Sequence, residues 1–380
     1  MPDSLRQQVA EAAHTIVVKV GTRVLTLPGG TLNYQRIERL AEELHAIAST
    51  GRRVVLVSSG AVGAGMHLLK LDSRPTDLAK LQAVAAVGQA HLIQTYDSTF
   101  TKFGRRAAQV LLTAEDVNDR IRYLNVRNTL LSILEFGAIP IINENDTVSV
   151  DELKTTFGDN DRLAAMVANL IRAPLLVILS DIEGLYDGDP SLASSNLVSA
   201  VPEINDKIYS YVRDKKTGLS KGGMASKLEA ARIVTMAGEN VIIANGNNLN
   251  VLTTIMAGEP VGTLFCGSGK TISPFKRWLG FTAQTRGRVT LDAGARKAIL
   301  QDGRSLLAAG IVDAQGDFHK GDVVALCDSE GQVIARGLTN YDAADVVRIK
   351  GLKSAKIAQV LGTRPYEEVI HRDNLAITRK

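Results

Sequence analysis

The first two thirds of the chain alternate strand-like and helix-like patterns of hydrophobic residues. Short β-branched or aliphatic runs, typical of buried parallel strands, lie at 15–20, 53–57, 109–112, 138–142, 175–179 and 241–244. Between them, hydrophobic residues recur at helical spacing in 37–47, 77–96, 123–136, 163–171 and 228–234. This alternation predicts a doubly wound α/β domain with a mainly parallel central sheet.

The pattern changes after residue 267. Residues 268–285 contain glycines, a proline and the basic pair Lys276–Arg277, and we interpret them as a linker. Beyond 286, shorter strand-like segments separated by glycines predict a small, mostly β, barrel-like domain. The predicted organisation is therefore a first domain at 1–267, a linker at 268–285 and a second domain at 286–380.

Composition excludes several classes of function. A net charge of +4 over 380 residues does not indicate nucleic acid, and two cysteines without CxxC spacing do not indicate a metal–thiolate or redox site. The six histidines are scattered, without the spacing of a zinc hydrolase or a Ser-His-Asp enzyme. Residues 1–14 lack the hydrophobic segment of an export signal, and no stretch reaches the roughly 18 apolar residues of a membrane span. We expect a cytoplasmic protein.

Two clusters of Asn and Asp flank one loop. Asn143–Asp146 follow the strand at 138–142, and Gly158–Asp161 open the next helix, with Asp159 or Asn160 as the expected N-cap. Ligands of open α/β sheets bind at the carboxyl ends of strands, and neighbouring carboxylates repel each other without a partner. The clusters predict a site for an ammonium group, a metal–phosphate or both, and the alternative is a solvated turn.

Four further segments are candidate ligand sites. Lys19 precedes Gly21 at the end of the first strand, and the glycine-rich segment 58–65 fails the spacing of a dinucleotide fingerprint but suits a carboxylate. Lys221–Lys227 place two glycines and a lysine at a helix start, which suits a polyphosphate. The acidic turn 180–190 lacks the spacing of a calcium loop and suits the edge of a nucleotide or a lid. The alternatives are a surface lysine at Lys19 and a flexible loop at 222–223.

Six motifs together resemble the glutamate 5-kinase family, whose members have the amino acid kinase fold. They are VVKVGT at 17–22, VSSGA at 57–61, INEND at 142–146, FGDND at 157–161, LSDIEGLYD at 179–187 and KGGMASK at 221–227. The C-terminal segment resembles the PUA domain that many bacterial members carry. The resemblance implies a three-layer αβα catalytic domain followed by a PUA domain. Two departures from the family pattern are Ser180 in place of threonine and Ala225 in place of serine.

The resemblance also implies an activity and a set of site residues. The activity is ATP-dependent phosphorylation of the L-glutamate γ-carboxylate to L-glutamyl 5-phosphate, the first step of proline biosynthesis. Lys19 and Lys227 would be catalytic cations positioned by Asp161, with no metal ligand directly assigned and Mg²⁺ accompanying ATP. Glutamate would be held by Ser59, Asp146 and Asn160. ATP would be held by Lys19, Ser180, Asp181, Lys221, Gly222, Gly223, Met224, Ala225, Ser226 and Lys227.

Partners and rival functions follow from the same resemblance. It implies a homo-oligomer (a dimer or tetramer), proline as a feedback inhibitor and a glutamyl phosphate reductase partner. Because the two Asn and Asp clusters flank residues 147–157, we expect this segment to be a lid on which proline acts. The alternatives are another enzyme of the fold, acting on acetylglutamate, aspartate, carbamate or UMP, or an RNA-binding PUA protein. Residues 286–380 contain 15 Lys and Arg against 12 Asp and Glu, too balanced for a dedicated RNA binder. The balance favours a structural or regulatory role for this segment.

Overall fold

A computed structural model describes residues 3–27, 31–148, 159–212, 223–269, 273–363 and 366–378. The chain divides into two compact units, one formed by 1–117 and 121–271, the other by 118–120 and 272–380. Within the described ranges, no helix is long and apolar enough to cross a membrane.

The first unit contains helices on an extended sheet. Its helices are α1 (Ser4–Ala12), α2 (Thr22–Leu25), α3 (Tyr34–Ser49), α4 (Ala61–Leu68), α5 (Leu78–Thr101), α6 (Ala114–Asn118), α7 (Arg120–Glu135), α8 (Asp159–Ile171), α9 (Asp206–Ser210), α10 (Met224–Met236) and α11 (Val251–Met256). Its strands are β1 (Thr15–Val20), β2 (Arg53–Ser58), β3 (Ala107–Leu112), β4 (Ile139–Glu144), β5 (Leu175–Ser180), β6 (Ala200–Val201), β7 (Asn240–Asn245) and β8 (Thr263–Phe265).

The eight strands form one sheet in the order β3-β4-β2-β1-β5-β7-β8-β6. In this order, the first six strands (β3, β4, β2, β1, β5 and β7) pair in parallel with their neighbours. Strand β8 pairs antiparallel to β7. Every residue of β1, β4 and β5 is buried, because helices cover both faces of a parallel sheet. The predicted α/β class and mainly parallel sheet are confirmed, and each of the six predicted strands forms.

The polar N-terminal segment forms a helix that the hydrophobic pattern did not predict. In α1 the buried residues are Arg6, Val9 and Ala10, so a guanidinium takes the place of a core hydrophobe. Arg6 donates hydrogen bonds to the carbonyl oxygens of Ser199, Val261 and Gly262 at 2.6–2.9 Å. These bonds satisfy carbonyl groups beside the short strands β6 and β8, and they hold the helix against that edge.

The second unit is mostly β. It contains α12 (Pro274–Arg277), a π-helix (Trp278–Thr282), β9 (Gly287–Leu291), α13 (Ala293–Leu300), β10 (Ile311–Gly316), β11 (Val323–Cys327), β12 (Val333–Leu338), α14 (Ala343–Ile349), α15 (Ile357–Leu361) and β13 (Leu375–Ile377). The strands form one sheet in the order β10-β9-β11-β12-β13 around a hydrophobic core of its own. Residues 274–282, part of the predicted linker, are helical, and Trp278, Leu279 and Phe281 are buried.

Candidate active site

The site lies at the carboxyl ends of the central strands. Within the sheet, β2 lies next to β1 on one side and β5 lies next to β1 on the other, so the strand order reverses at β1. This reversal leaves a crevice beside the end of β1, where open α/β sheets bind ligands. Lys19, Asn143 and Ser180 lie near the carboxyl ends of β1, β4 and β5, and Ser59 follows β2 directly, so all four are at the same edge of the sheet.

Asp161 binds two lysines that are far apart in the sequence. One carboxylate oxygen lies 2.7 Å from Lys19 Nζ, on β1, and the other lies 3.0 Å from Lys227 Nζ, on α10. The Ser226 hydroxyl also reaches Asp161, at 3.4 Å, and Lys227 donates to the carbonyl oxygen of Gly223 at 3.2 Å. The three charged side chains are buried, Asp161 with 1% of its surface exposed and each lysine with 6%.

The electrostatics of this triad favour an anion. Burial by itself disfavours the ionised form of Asp161, but the charges of Lys19 and Lys227 outweigh burial and hold the pKa of that carboxyl below its usual range. An ionised Asp161 between two ammonium groups leaves one net positive charge on the triad. Because a buried charge is costly without a partner, the triad is suited to an incoming polyanion such as a phosphate chain.

Beside the triad, four buried polar side chains form a continuous chain of hydrogen bonds, which we call the amide relay. Gln89, on α5, accepts from Asn143 Nδ2 at 2.8 Å. Asn160 Nδ2 donates to Asn143 Oδ1 at 3.2 Å and to Ser59 Oγ at 2.9 Å. Asn160 and Asp161 are consecutive residues of α8, so the relay and the triad meet within one helical turn.

Two acidic residues end β4 next to the relay. Glu144 and Asp146 are both buried, with 6% and 7% of their surface exposed. Burial and, to a smaller extent, the negative charge of Glu144 raise the pKa of Asp146 to about 6, against the opposing effect of Arg74. An amino group bound beside Asp146 would relieve this repulsion, so the position is suited to a cationic part of a ligand.

The remaining predicted nucleotide residues lie at the end of β5 and the start of α10. Ser180 donates to Asp181 at 3.1 Å, and Asp181 pairs with Arg23 at 2.9 Å. Gly223, with φ of +55°, precedes α10, which begins with Met224, Ala225 and Ser226. Lys221 and Gly222, and residues 149–157 of the expected lid, lie outside the described residues.

Sequence reasoning missed part of this site and misplaced one detail. Gln89 and Arg74 had no motif to mark them, since they precede the Asn and Asp clusters by more than 50 positions. The predicted N-cap at Asp159 or Asn160 is wrong, because α8 already includes both residues. The Asn160 side chain instead bonds across the crevice to Ser59 and Asn143.

The described side chains offer little to hold a metal ion. They contain no cluster of three or more His, Cys, Asp or Glu with suitable geometry. Both oxygens of Asp161 engage lysines. Magnesium in phosphate-transferring sites is often held by substrate phosphates together with one or two carboxylates.

Comparison with known proteins gives the family. The amino acid kinase family matches residues 14–245, and the PUA domain matches residues 287–361. The site and the parallel sheet therefore lie within a family match that covers more than half of the chain. This chain belongs to the amino acid kinase family, and its second unit is a PUA domain, as predicted.

Relatives over nearly the whole length narrow the assignment to the glutamate 5-kinases. The glutamate 5-kinase of Rhodopirellula baltica is 49% identical over 374 residues, covering 98% of this chain and 96% of the relative. The glutamate 5-kinase of Thermoanaerobacter sp. strain X514 is 47% identical, covering 96% of this chain and 98% of the relative. That of Syntrophus aciditrophicus is 45% identical, covering 99% of this chain and 97% of the relative. Among solved structures, isopentenyl phosphate kinase matches 66% of this chain and all of its own length with 14% identity and a TM-score of 0.46, too weak a likeness to inform the site.

Proposed function

We propose that this protein transfers the γ-phosphoryl group of ATP to the side-chain carboxylate of L-glutamate, giving L-glutamyl 5-phosphate and ADP. This is the first step towards proline. The observation that carries the proposal is the buried Lys19–Asp161–Lys227 triad, in a chain whose near full-length relatives are named glutamate 5-kinase. A site for amino acids and a site for polyanions meet at consecutive residues of α8.

The chemistry requires positioning and charge neutralisation rather than a base. A glutamate side chain has a pKa of about 4.3 and is already ionised at neutral pH. Transfer then depends on bringing that carboxylate in line with the γ-phosphate and on stabilising the charge that spreads over the phosphate oxygens. Lys19 and Lys227 supply two positive charges, and Asp161 fixes where both ammonium groups lie. This explains why the site needs no histidine.

The two substrates occupy different parts of the crevice in this proposal. The Ser59 hydroxyl donates to a carboxylate of glutamate, and Asn160 holds that hydroxyl in place through its own hydrogen bond to Ser59 Oγ. Asp146 binds the ammonium group of glutamate through a charge-assisted hydrogen bond. ATP lies along Ser180–Asp181 and the start of α10, where helix N-terminal amides favour phosphate. Mg²⁺ accompanies the ATP phosphates and neutralises part of their charge.

The test is formation of an acyl phosphate, trapped with hydroxylamine as γ-glutamyl hydroxamate. Purified full-length protein is incubated with MgATP and L-glutamate, and parallel reactions contain N-acetylglutamate, aspartate, carbamate or UMP. We expect glutamate-dependent hydroxamate with matched ADP release. Product only with another acceptor would overturn the assignment, and UMP would yield no hydroxamate at all. Adding proline to the glutamate reaction tests feedback inhibition.

We extend the proposal to partners. The protein acts in the cytoplasm as a homo-oligomer, a dimer or tetramer, proline inhibits it, and a glutamyl phosphate reductase consumes its labile product. The PUA domain has a structural or regulatory role, since its acidic and basic residues are nearly balanced. Salt-sensitive binding of RNA by the full-length protein at micromolar affinity or tighter would reverse that preference.

A further inference from the structure

Gln89 lies far from every motif of the sequence, yet its side chain begins the amide relay. It is buried, with 7% of its surface exposed, in the middle of α5. Its Oε1 accepts from Asn143 Nδ2 across 54 positions of sequence. Among the described residues, Gln89 Nε2 has no hydrogen-bond partner. A buried amide group is costly when it is left without a hydrogen-bond partner, so the presence of Gln89 in the buried relay calls for an explanation.

We infer that Gln89 is a positioning residue for the amino acid substrate, acting through Asn143 and Asn160 on the Ser59 hydroxyl. This inference rests on the proposed function, since it concerns the glutamate end of that site. Gln89 touches neither substrate in the proposal. It fixes the direction in which the residues that do touch glutamate present their donors.

The direction of the hydrogen bonds carries the inference. Because Gln89 presents its oxygen to Asn143 Nδ2, the Asn143 oxygen is turned towards Asn160. Asn160 therefore presents its NH₂ group to the relay and donates to Ser59 Oγ at 2.9 Å. A hydroxyl that accepts one hydrogen bond still has its own proton to donate. The relay thus leaves the Ser59 O–H available for a carboxylate.

A close contact between α4 and α5 fixes the position of Gln89. A Cβ atom on Gly88 would lie 1.8 Å from the Ala61 carbonyl oxygen and 2.4 Å from the Gly65 amide nitrogen. The two helix backbones therefore touch at Gly88, immediately before Gln89. Since α4 begins two residues after Ser59, the same contact holds both ends of the relay in register.

The relay and the triad serve different substrates, which makes the inference testable. The relay ends at Ser59, whereas the lysines bind Asp161. Loss of the Gln89 oxygen should let the Asn143 and Asn160 amides rotate and should weaken glutamate binding. The lysines and the nucleotide side should be affected much less.

The experiment measures KM for glutamate and for MgATP, kcat and Tm on full-length protein. Gln89→Met keeps the size of the side chain and removes its acceptor, and we expect a rise in glutamate KM of about tenfold, the scale of one buried hydrogen bond, with the MgATP KM within about twofold. Gln89→Glu still accepts from Asn143 and should lie closer to the wild type. Leu92→Ala, a fully buried position one turn further along α5, should lower Tm and leave both KM values unchanged.

Three outcomes would overturn the inference: an unchanged glutamate KM in Gln89→Met, an equal rise in both KM values, or no recovery in Gln89→Glu. If Gln89→Met lowers Tm as Leu92→Ala does but leaves the ratio of the glutamate KM to the MgATP KM unchanged, Gln89 has only a structural role. Failure of the proposed function is distinguishable, because it would appear as a wild-type protein that forms no glutamyl hydroxamate.

Discussion

Asp161 is the residue on which the proposed chemistry depends, because it contacts both buried lysines. Removing one member of a buried ion cluster leaves an uncompensated charge, which typically costs 3–5 kcal/mol. The cluster is therefore better explained by function than by stability, since hydrophobic side chains would fill the same space at no electrostatic cost. In the proposed reaction, its net positive charge stabilises the γ-phosphate during transfer.

Replacement of Lys227 tests the catalytic role. In Lys227→Ala we expect kcat to fall by at least roughly a hundredfold, the scale of losing one contact that stabilises transition-state charge. The measurement is the steady-state rate of hydroxamate formation at saturating substrates. Lys207→Ala, at an exposed lysine on α9, is the matched control and should leave kcat unchanged. An unaltered turnover number in Lys227→Ala would remove Lys227 from the mechanism.

The raised pKa of Asp146 predicts a pH dependence of glutamate binding. A carboxyl with a pKa of about 6 is ionised at pH 7 and mostly protonated at pH 5. If the ionised form binds the substrate ammonium, KM for glutamate should rise about tenfold between pH 7 and pH 5. The measurement is KM at saturating MgATP over pH 5 to 8.

Asp146→Asn is the control for this titration. The variant should bind glutamate weakly at every pH, and its KM should lack the step near pH 6. A wild-type KM that does not vary with pH, or the same profile in Asp146→Asn, would contradict the assignment of Asp146 to the ammonium group.

At the scale of elements, the glycine-rich segment after β2 has two roles. Its spacing suggested an anion loop, and Gly60, with φ of +108°, does form the turn into α4. Gly65 has a different role, because a Cβ there would lie 1.9 Å from the Val84 carbonyl oxygen. Together with Gly88 it lets α4 and α5 pack with their backbones in contact. Part of the glycine-rich pattern is therefore explained by helix packing rather than by ligand binding.

Gly88→Ala tests that packing. The added methyl meets backbone atoms that cannot rotate away, so we expect a loss of at least about 1–3 kcal/mol of the free energy of unfolding. Chemical denaturation of the variant measures it. Val87→Ala, the adjacent exposed position, should change stability by less than about 0.5 kcal/mol. Equal stability of the two variants would show that α4 and α5 can separate without cost.

At the scale of the whole molecule, two units have separate hydrophobic cores. One core is formed by residues between Val9 and Leu264, and the other by residues between Val289 and Leu375. All described residues of the triad and the amide relay belong to the first unit. The proposed catalytic residues and the PUA domain therefore belong to different units.

A chain truncated after Thr271 should therefore retain activity. We expect glutamate-dependent hydroxamate formation with kcat within about tenfold of the full-length value, a barrier change below about 1.4 kcal/mol. The full-length protein is the reference, and circular dichroism shows whether the truncated chain is folded. A folded but inactive chain would assign the PUA domain a direct part in catalysis.

The sequence by itself determined the six central strands and the edge of the sheet at which the site lies. Buried parallel strands need runs such as 15–20 and 175–179, apolar on both faces, and the polar residues that follow such runs must lie at the strands' carboxyl ends. The motifs also pointed to Lys19, Asp161 and Lys227 individually. These signals are local, because each depends on residues within one element.

Only the tertiary structure decided which of these residues meet. Strand order brings β1 beside β5, and the packing of α8 against α10 brings Lys227 to the same carboxylate as Lys19. The place of Gln89 depends on backbone contact between α4 and α5, a contact made by two glycines that carry no side chain to mark it. Contacts across 54 or 66 positions depend on how whole elements pack, which no local pattern of hydrophobic residues encodes.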